Sequence, residues 1–235
     1  MNIDQKTEDN IELFIDESYD EQYCAVCIVC IQGKENLVLV RDLIRQMSID
    51  PLIQSMVREE TYHYSELSIG ARQALTSWVA RMPLSVYIAI TQQDIPQDKK
   101  YDTAYGFLLK NILIPVFSKF QNRVGSEVAL QINFENISDK TKSDVEFFTK
   151  KVNDTGIKGK CNLNVVTKQT NDFIFLPDFF LGYVKDHINR GGEKITWTAD
   201  SLKLLSKKIG LLLNYEKDGK LERFSRGEEV STFLS

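Results

Sequence analysis

Three carboxylates stand out because they sit where a carboxylate is costly. Residues Ile11 to Ser18 read I-E-L-F-I-D-E-S, an apolar run that ends in the adjacent acids Asp16 and Glu17. Residues Val128 to Phe134 read V-A-L-Q-I-N-F and end at Glu135. Asp178 lies within I-F-L-P-D-F-F-L-G-Y-V, Ile174 to Val184, a segment otherwise almost wholly apolar. A carboxylate taken out of water must be solvated, paired or bound to a metal. Three acids converging from separate elements form a hard oxygen donor set. Mg²⁺ takes such ligands at about 2.0–2.1 Å and retains several waters. Two such ions about 3.5–4 Å apart activate a water and stabilise the leaving oxygen of a phosphodiester. Simpler readings exist for each acid. Asp16 could end a strand in an acidic turn, and Asp178 could cap its helix and complement the helix dipole.

The elements that must position these acids follow from hydrophobic periodicity. Strands are expected over Ile11–Asp16, Gln22–Gln32, Leu84–Gln92, Glu127–Phe134 and Asn162–Thr167. The second is nearly continuous Cys, Ala, Val and Ile, as for a central strand buried on both faces. Helices are expected over Leu37–Met47, Pro51–Arg58, Gly70–Arg81, Asp102–Asn122 with a kink at Pro115, Ser138–Asn153, Phe173–Asn189 and Ala199–Leu213. Residues Glu59 to Leu67 gather three carboxylates and His63, one of only two histidines, and are expected on a loop or short edge strand. There Tyr62 and Tyr64 are candidates to stack a nucleic-acid base from one strand face. The alternation of strands and helices predicts a single α/β domain over residues 1–235 with a mixed sheet, residues 199–235 being a C-terminal helix and tail.

Bulk properties narrow the function classes. With 235 residues the chain can bury a sizeable core. Its formal net charge is −4 and its isoelectric point about 5.4, so nucleic acid would have to be met by a local patch. Lys140, Lys142, Lys150, Lys151, Lys158 and Lys160, and Lys203, Lys207 and Lys208, are candidates for one, and solvated helix faces account for them equally well. The polar, acidic N-terminus does not read as a signal peptide, and no apolar run approaches about 20 residues, so a cytoplasmic location without membrane insertion is expected. Cys24, Cys27 and Cys30 alternate across a predicted strand and cannot converge on one ion, which makes them structural. No Gly-rich phosphate loop or nucleophile elbow is present.

Beyond these features, F-I-D-E-S-Y-D, Phe14 to Asp20, resembles the F-I-D-E-S-G-D opening of the bacterial and phage family called domain of unknown function 3800. Y-H-Y-S-E-L, Tyr62 to Leu67, is similar to that family's H-F-S-E-L segment. V-A-L-Q-I-N-F-E matches its internal strand ending in an acid. Ile174 to Val184 resembles its closing L-Q-x-A-D-x-x-x-G motif, with Asp178 and Gly182 in place and Phe175 and Pro177 where the family has glutamine and alanine. The resemblance spans about Ile11 to Asn189. It implies a ribonuclease H-like mixed sheet flanked by helices. It also implies a metal-dependent nuclease, a hydrolase of DNA or RNA using Mg²⁺ or Mn²⁺, in phage defence or mobile-element biology. By resemblance Asp16, Glu135 and Asp178 would be metal ligands, and Glu17 and His63 would assist nearby, His63 by orienting a water or phosphate or in proton transfer. His63 as an ordinary surface loop histidine is an equal reading. Tyr19 replaces the family's turn glycine, and Asn133 stands one strand period before Glu135 on the same face. The alternative function is a catalytically silent module of this fold that binds a protein or nucleic-acid partner.

Overall fold

A strand with no polar face must lie between other strands and beneath two layers. Cys24–Gln32 is such a strand, since every residue from Cys24 to Ile31 is buried. The computed structural model places it inside a seven-stranded sheet. The structure describes residues 10–20, 23–56, 62–116, 129–135, 150, 161–167, 170–189, 196–225 and 227. In chain order the strands are β1 (Asn10–Tyr19), β2 (Cys24–Gln32), β3 (Ser85–Thr91), β4 (Ala129–Glu135), β5 (Cys161–Val166), β6 (Ile209–Tyr215) and β7 (Leu221–Phe224). Their spatial order is β5-β4-β1-β2-β3-β6-β7. β2 is antiparallel to both β1 and β3, while β4 is parallel to β1 and β5 is parallel to β4. An antiparallel β1-β2-β3 meander extended by two parallel strands on the β1 side is the ribonuclease H-like arrangement, here an α/β mixed sheet flanked by helices.

Strand alternation divides the core into two layers. On the first face Phe14, Ala25, Cys27, Val29 and Ile31 meet α1 (Lys34–Ser48), α3 (Ile69–Val79) and α5 (Phe175–Asn189). On the second face Ile11, Leu13, Ile15, Cys24, Val26, Ile28 and Cys30 meet the helix of residues 100–116, here α4, which is π-helical over Thr103–Leu109. A short α2 (Pro51–Met56) follows α1, and α6 (Thr196–Ser206) precedes β6. Leu37, Val40, Leu43, Ile44 and Met47 of α1 are buried at the expected spacing. Gly33, at φ 87, makes the left-handed step from β2 into α1 that a side chain would strain. Ser68 caps α3, its side chain accepting from Ala71 N at 3.2 Å. Among the described residues no helix is long and apolar enough to cross a membrane.

Three expectations need correction. The predicted helix Ala199–Leu213 ends at Ser206, and its second half is strand β6, parallel to β3. Ile209, Leu211, Leu212 and Leu213 leave no polar stripe for a helix to present to water, and a strand buried on both faces accommodates them. Residues 214–224 are therefore not a tail. They complete β6 and return as β7, with Leu212 abreast of Phe224. The first strand, expected to end at Asp16, runs on through both charges to Tyr19 because β2 pairs with it there. Of the loop or short edge strand expected at residues 62–67, the loop is found, with a single 3₁₀ turn at Tyr64–Glu66. The predicted helix Ser138–Asn153 lies outside the described residues apart from Lys150, as do Glu59, Glu60, Lys140, Lys142, Lys151, Lys158, Lys160 and the part of the 102–122 helix beyond Val116.

The cysteines occupy both faces as expected, Cys24 and Cys30 on the second and Cys27 on the first, all buried and outside any disulfide. Burial pushes the Cys24 thiol up to about 12, with Glu17 reinforcing the shift, and holds Cys27 well above its usual range. Burial likewise raises the Tyr23 and Tyr64 phenols. Each group favours its proton in the fold, so its contribution to stability is complete below the unfolded-chain value and is lost as pH rises. Urea midpoints should therefore fall steadily above about pH 9. By about pH 10.5 Cys24 alone would account for roughly 2 kcal/mol. A midpoint that stays level or rises between pH 9 and 10.5 would contradict this.

Candidate acidic site at the carboxyl end of β1 and β4

The parallel pairing of β1 with β4 ends at Ile15 opposite Phe134, so Asp16 and Glu135 are the next residues on neighbouring strands. Such strands run about 4.8 Å apart. Ile15 and Phe134 point into the second layer. Asp16 and Glu135 therefore both belong to the first face, with Asp16 abreast of Cys27 and Glu135 abreast of Val166. Asp16 is buried, and its Oδ1 accepts from Glu17 N at 2.9 Å.

The third acid arrives on α5. Phe175, Leu176, Phe179 and Phe180 press this helix onto the first face, over β1 and β2. Asp178 stands in its first turn. The chain enters α5 with the Phe173 ring stacked 5.1 Å from that of Phe14 in β1, and Lys185, two turns beyond Asp178, reaches Asp20 at 3.9 Å, so Asp178 lies over β1 toward the end where it passes into β2. Tyr23 and Ser18 share a hydroxyl–hydroxyl hydrogen bond there. Asp16, Glu135 and Asp178 thus share one face and one end of the sheet.

The segment carrying His63 is fastened to the same helix. Tyr64 N donates to Asp178 Oδ2 at 3.0 Å, and His63 Nδ1 lies 4.0 Å from that oxygen. The Tyr64 ring lies against Gly182, where an added Cβ would fall 2.0 Å from the ring carbons Cγ and Cδ1. Its phenol donates to Asp186 Oδ2 at 2.8 Å, and Arg72 Nη1 donates to the same oxygen at 2.7 Å. The Arg72 guanidinium lies 4.1 Å from the centroid of the Tyr64 ring, over its face. Asp178, Gly182 and Asp186 follow at intervals of four, one stripe of α5, and Tyr64 is laid along all three. Tyr64 is accordingly a core residue and not a base-stacking platform. Tyr62 is half-buried, its ring 5.3 Å from that of Phe175.

The remaining sequence candidates separate cleanly. Glu17 is one residue beyond Asp16 and so belongs to the second face, where Tyr105 Oη donates to its carboxylate. Asn133 is buried, donates from Nδ2 to Leu13 O at 3.3 Å, and accepts from Asn164 Nδ2 at 3.1 Å. Its amide ties three strands together, which leaves Glu135 as the acid of β4. Tyr19 needs no glycine-like turn. It is the last residue of β1, extended and paired with Cys24. Arg72 and Asp186 were not singled out from the sequence. The four-residue spacing from Gly182 to Asp186 was the available signal for the latter.

Among the described residues no three His, Cys, Asp or Glu side chains form a ready-made metal cage. The donors on the first face still suit a hard cation that keeps much of its water, since Mg²⁺ is often held by only one or two carboxylates. Asp16, Glu135 and Asp178 offer oxygen alone, and the neighbouring Cys27 is held as a neutral thiol by burial. No model of a known protein family matches this chain, and no curated protein matches it.

Proposed function

We propose that the chain is a divalent-metal-dependent nuclease that hydrolyses phosphodiester bonds in DNA or RNA. One observation carries this reading. The ribonuclease H-like strand order sets Asp16 and Glu135 side by side on parallel strands, and the helix that bears Asp178 packs over β1 beside them. Asp16, Glu135 and Asp178 would hold Mg²⁺ or Mn²⁺, and the chemistry supplied by a bound ion is activation of a water and stabilisation of the leaving oxygen. His63, partly exposed beside Asp178, would pass a proton between solvent and the reacting phosphate. Tyr64 N fixes the Asp178 carboxylate before substrate arrives. The resemblance to domain of unknown function 3800 supports the same reading and is the sole ground for a role in phage defence or mobile-element biology.

A second reading is a silent module of this fold that binds a protein or nucleic-acid partner. It is favoured by the lack of a preformed three-ligand cage among the described residues. Metal dependence separates the two. Single- and double-stranded DNA and RNA, incubated with the purified chain, should be cut in the presence of Mg²⁺ or Mn²⁺ and spared when EDTA is added. Cleavage indifferent to EDTA, or no cleavage with any of the four substrates in either metal, counts against the nuclease.

A further inference from the structure

On the second face, directly behind the acidic pair, Tyr105 touches both strands that carry it. Its phenol donates to Glu17, the neighbour of Asp16, and its ring lies 6.4 Å, centroid to centroid, from that of Phe134, the neighbour of Glu135. Tyr105 is 4 % exposed, so this contact is part of the packed interior. It is presented by the π-helical stretch of α4, an irregularity that often accompanies functional sites. The Glu17 amide in turn donates to Asp16 Oδ1. A chain of contacts therefore runs from Tyr105 through the Glu17 side chain and backbone to a candidate metal-binding oxygen. A parallel path runs through Phe134 to the strand end at Glu135.

We infer that Tyr105 and Glu17 are positioning residues, which brace the ends of β1 and β4 from behind and so set the aim of Asp16 and Glu135. Glu17 acts as a hydrogen-bond acceptor in the rear layer and not as a ligand or a charge at the front. This inference rests on the metal reading above. Partners that orient metal ligands typically contribute 10–100-fold to affinity.

Calorimetric titration with Mn²⁺ alone, on folded protein checked by circular dichroism, tests it. Glu17→Gln keeps an acceptor for the Tyr105 phenol and should leave the Mn²⁺ dissociation constant within about threefold of the wild type. Glu17→Ala and Tyr105→Phe should each raise it roughly tenfold or more. The double variant Glu17→Ala/Tyr105→Phe should be no weaker than either single one, because both remove one interaction. If Tyr105→Phe does not fold, the contrast between Glu17→Gln and Glu17→Ala still decides. Equal loss in those two variants would mean that the carboxylate charge itself matters and would overturn the inference. So would an unchanged dissociation constant in Glu17→Ala. A wild-type chain that takes up no Mn²⁺ would overturn the metal reading itself, and the inference with it, before any variant is compared.

Discussion

Asp16→Asn is expected to abolish metal-dependent cleavage while leaving the fold as stable as before. Asparagine is nearly isosteric and retains an oxygen to accept from Glu17 N, so the β1 terminus need not move. The change removes a negative charge from a buried position beside a second acid, which relieves some repulsion. The same change removes a candidate ligand. Loss of metal-derived stabilisation of a few kcal/mol corresponds to a fall of about a thousandfold or more in the rate of cleavage. Asp178→Asn should behave alike, since the amide oxygen can still accept from Tyr64 N. The two readouts must be taken together. Melting temperatures within a few degrees of the wild type, with activity gone, mark acids kept for chemistry at some expense to stability. A variant that melts far earlier would mean that Asp16 is a structural acid, and undiminished cleavage would remove it from the site.

Gly182→Ala should have the opposite signature, a large loss of stability. The added methyl would lie 2.0 Å from Cγ and Cδ1 of Tyr64, at the root of the ring, where no flexible end can swing aside. Either α5 lifts off the sheet or Tyr64 leaves its place. Overpacking of this kind costs about 1–3 kcal/mol. Displacing the ring also forfeits the bonds from Tyr64 to Asp178 and Asp186, each worth roughly 1.5–3 kcal/mol with a charged acceptor. A combined cost of several kcal/mol lowers the melting temperature of a domain this size by on the order of 10 °C. Tyr64→Ala in the Gly182→Ala background should restore part of the loss, because the clash is removed at its source. A Gly182→Ala protein that melts within about two degrees of the wild type would contradict the packing described here.

The two experiments probe parts of the molecule that differed in how openly the sequence displayed them. The strands that carry Asp16 and Glu135 were legible as apolar runs, although β1 does not stop at the charge but continues through Asp16 and Glu17 to Tyr19, held by its pairing with β2. The α5 segment was legible because an acid among Phe179, Phe180 and Leu181 has no ordinary reason to be there. That Glu17 turns away from Asp16 was also within reach, since neighbours on a strand face opposite ways. The failure at residues 199–213 has a different origin. Leu204 and Leu205 continue into Ile209 and Leu211–Leu213 with only a serine, two lysines and a glycine between, and a short apolar run has no period that distinguishes strand from helix. What selects the strand is the edge of β3, a partner more than a hundred residues earlier. The Tyr64–Asp186–Arg72 contacts were hidden for the same reason, joining segments 114 to 122 residues apart that no local pattern connects.

The placement of β6 beside β3 bears on the order in which the protein can be made. Until residues 209–215 leave the ribosome, β3 presents its open backbone edge, flanked by Val86, Ile88 and Ile90, to the surroundings. Such an edge is a template for pairing with any other extended chain. The meander and the strands that carry the acids can assemble earlier, since all their partners are already synthesised. Strand β6, with its short charged companion β7, then acts as a closing seal. It converts an association-prone intermediate into a sheet bordered on that side by Lys220, Glu222 and Arg223.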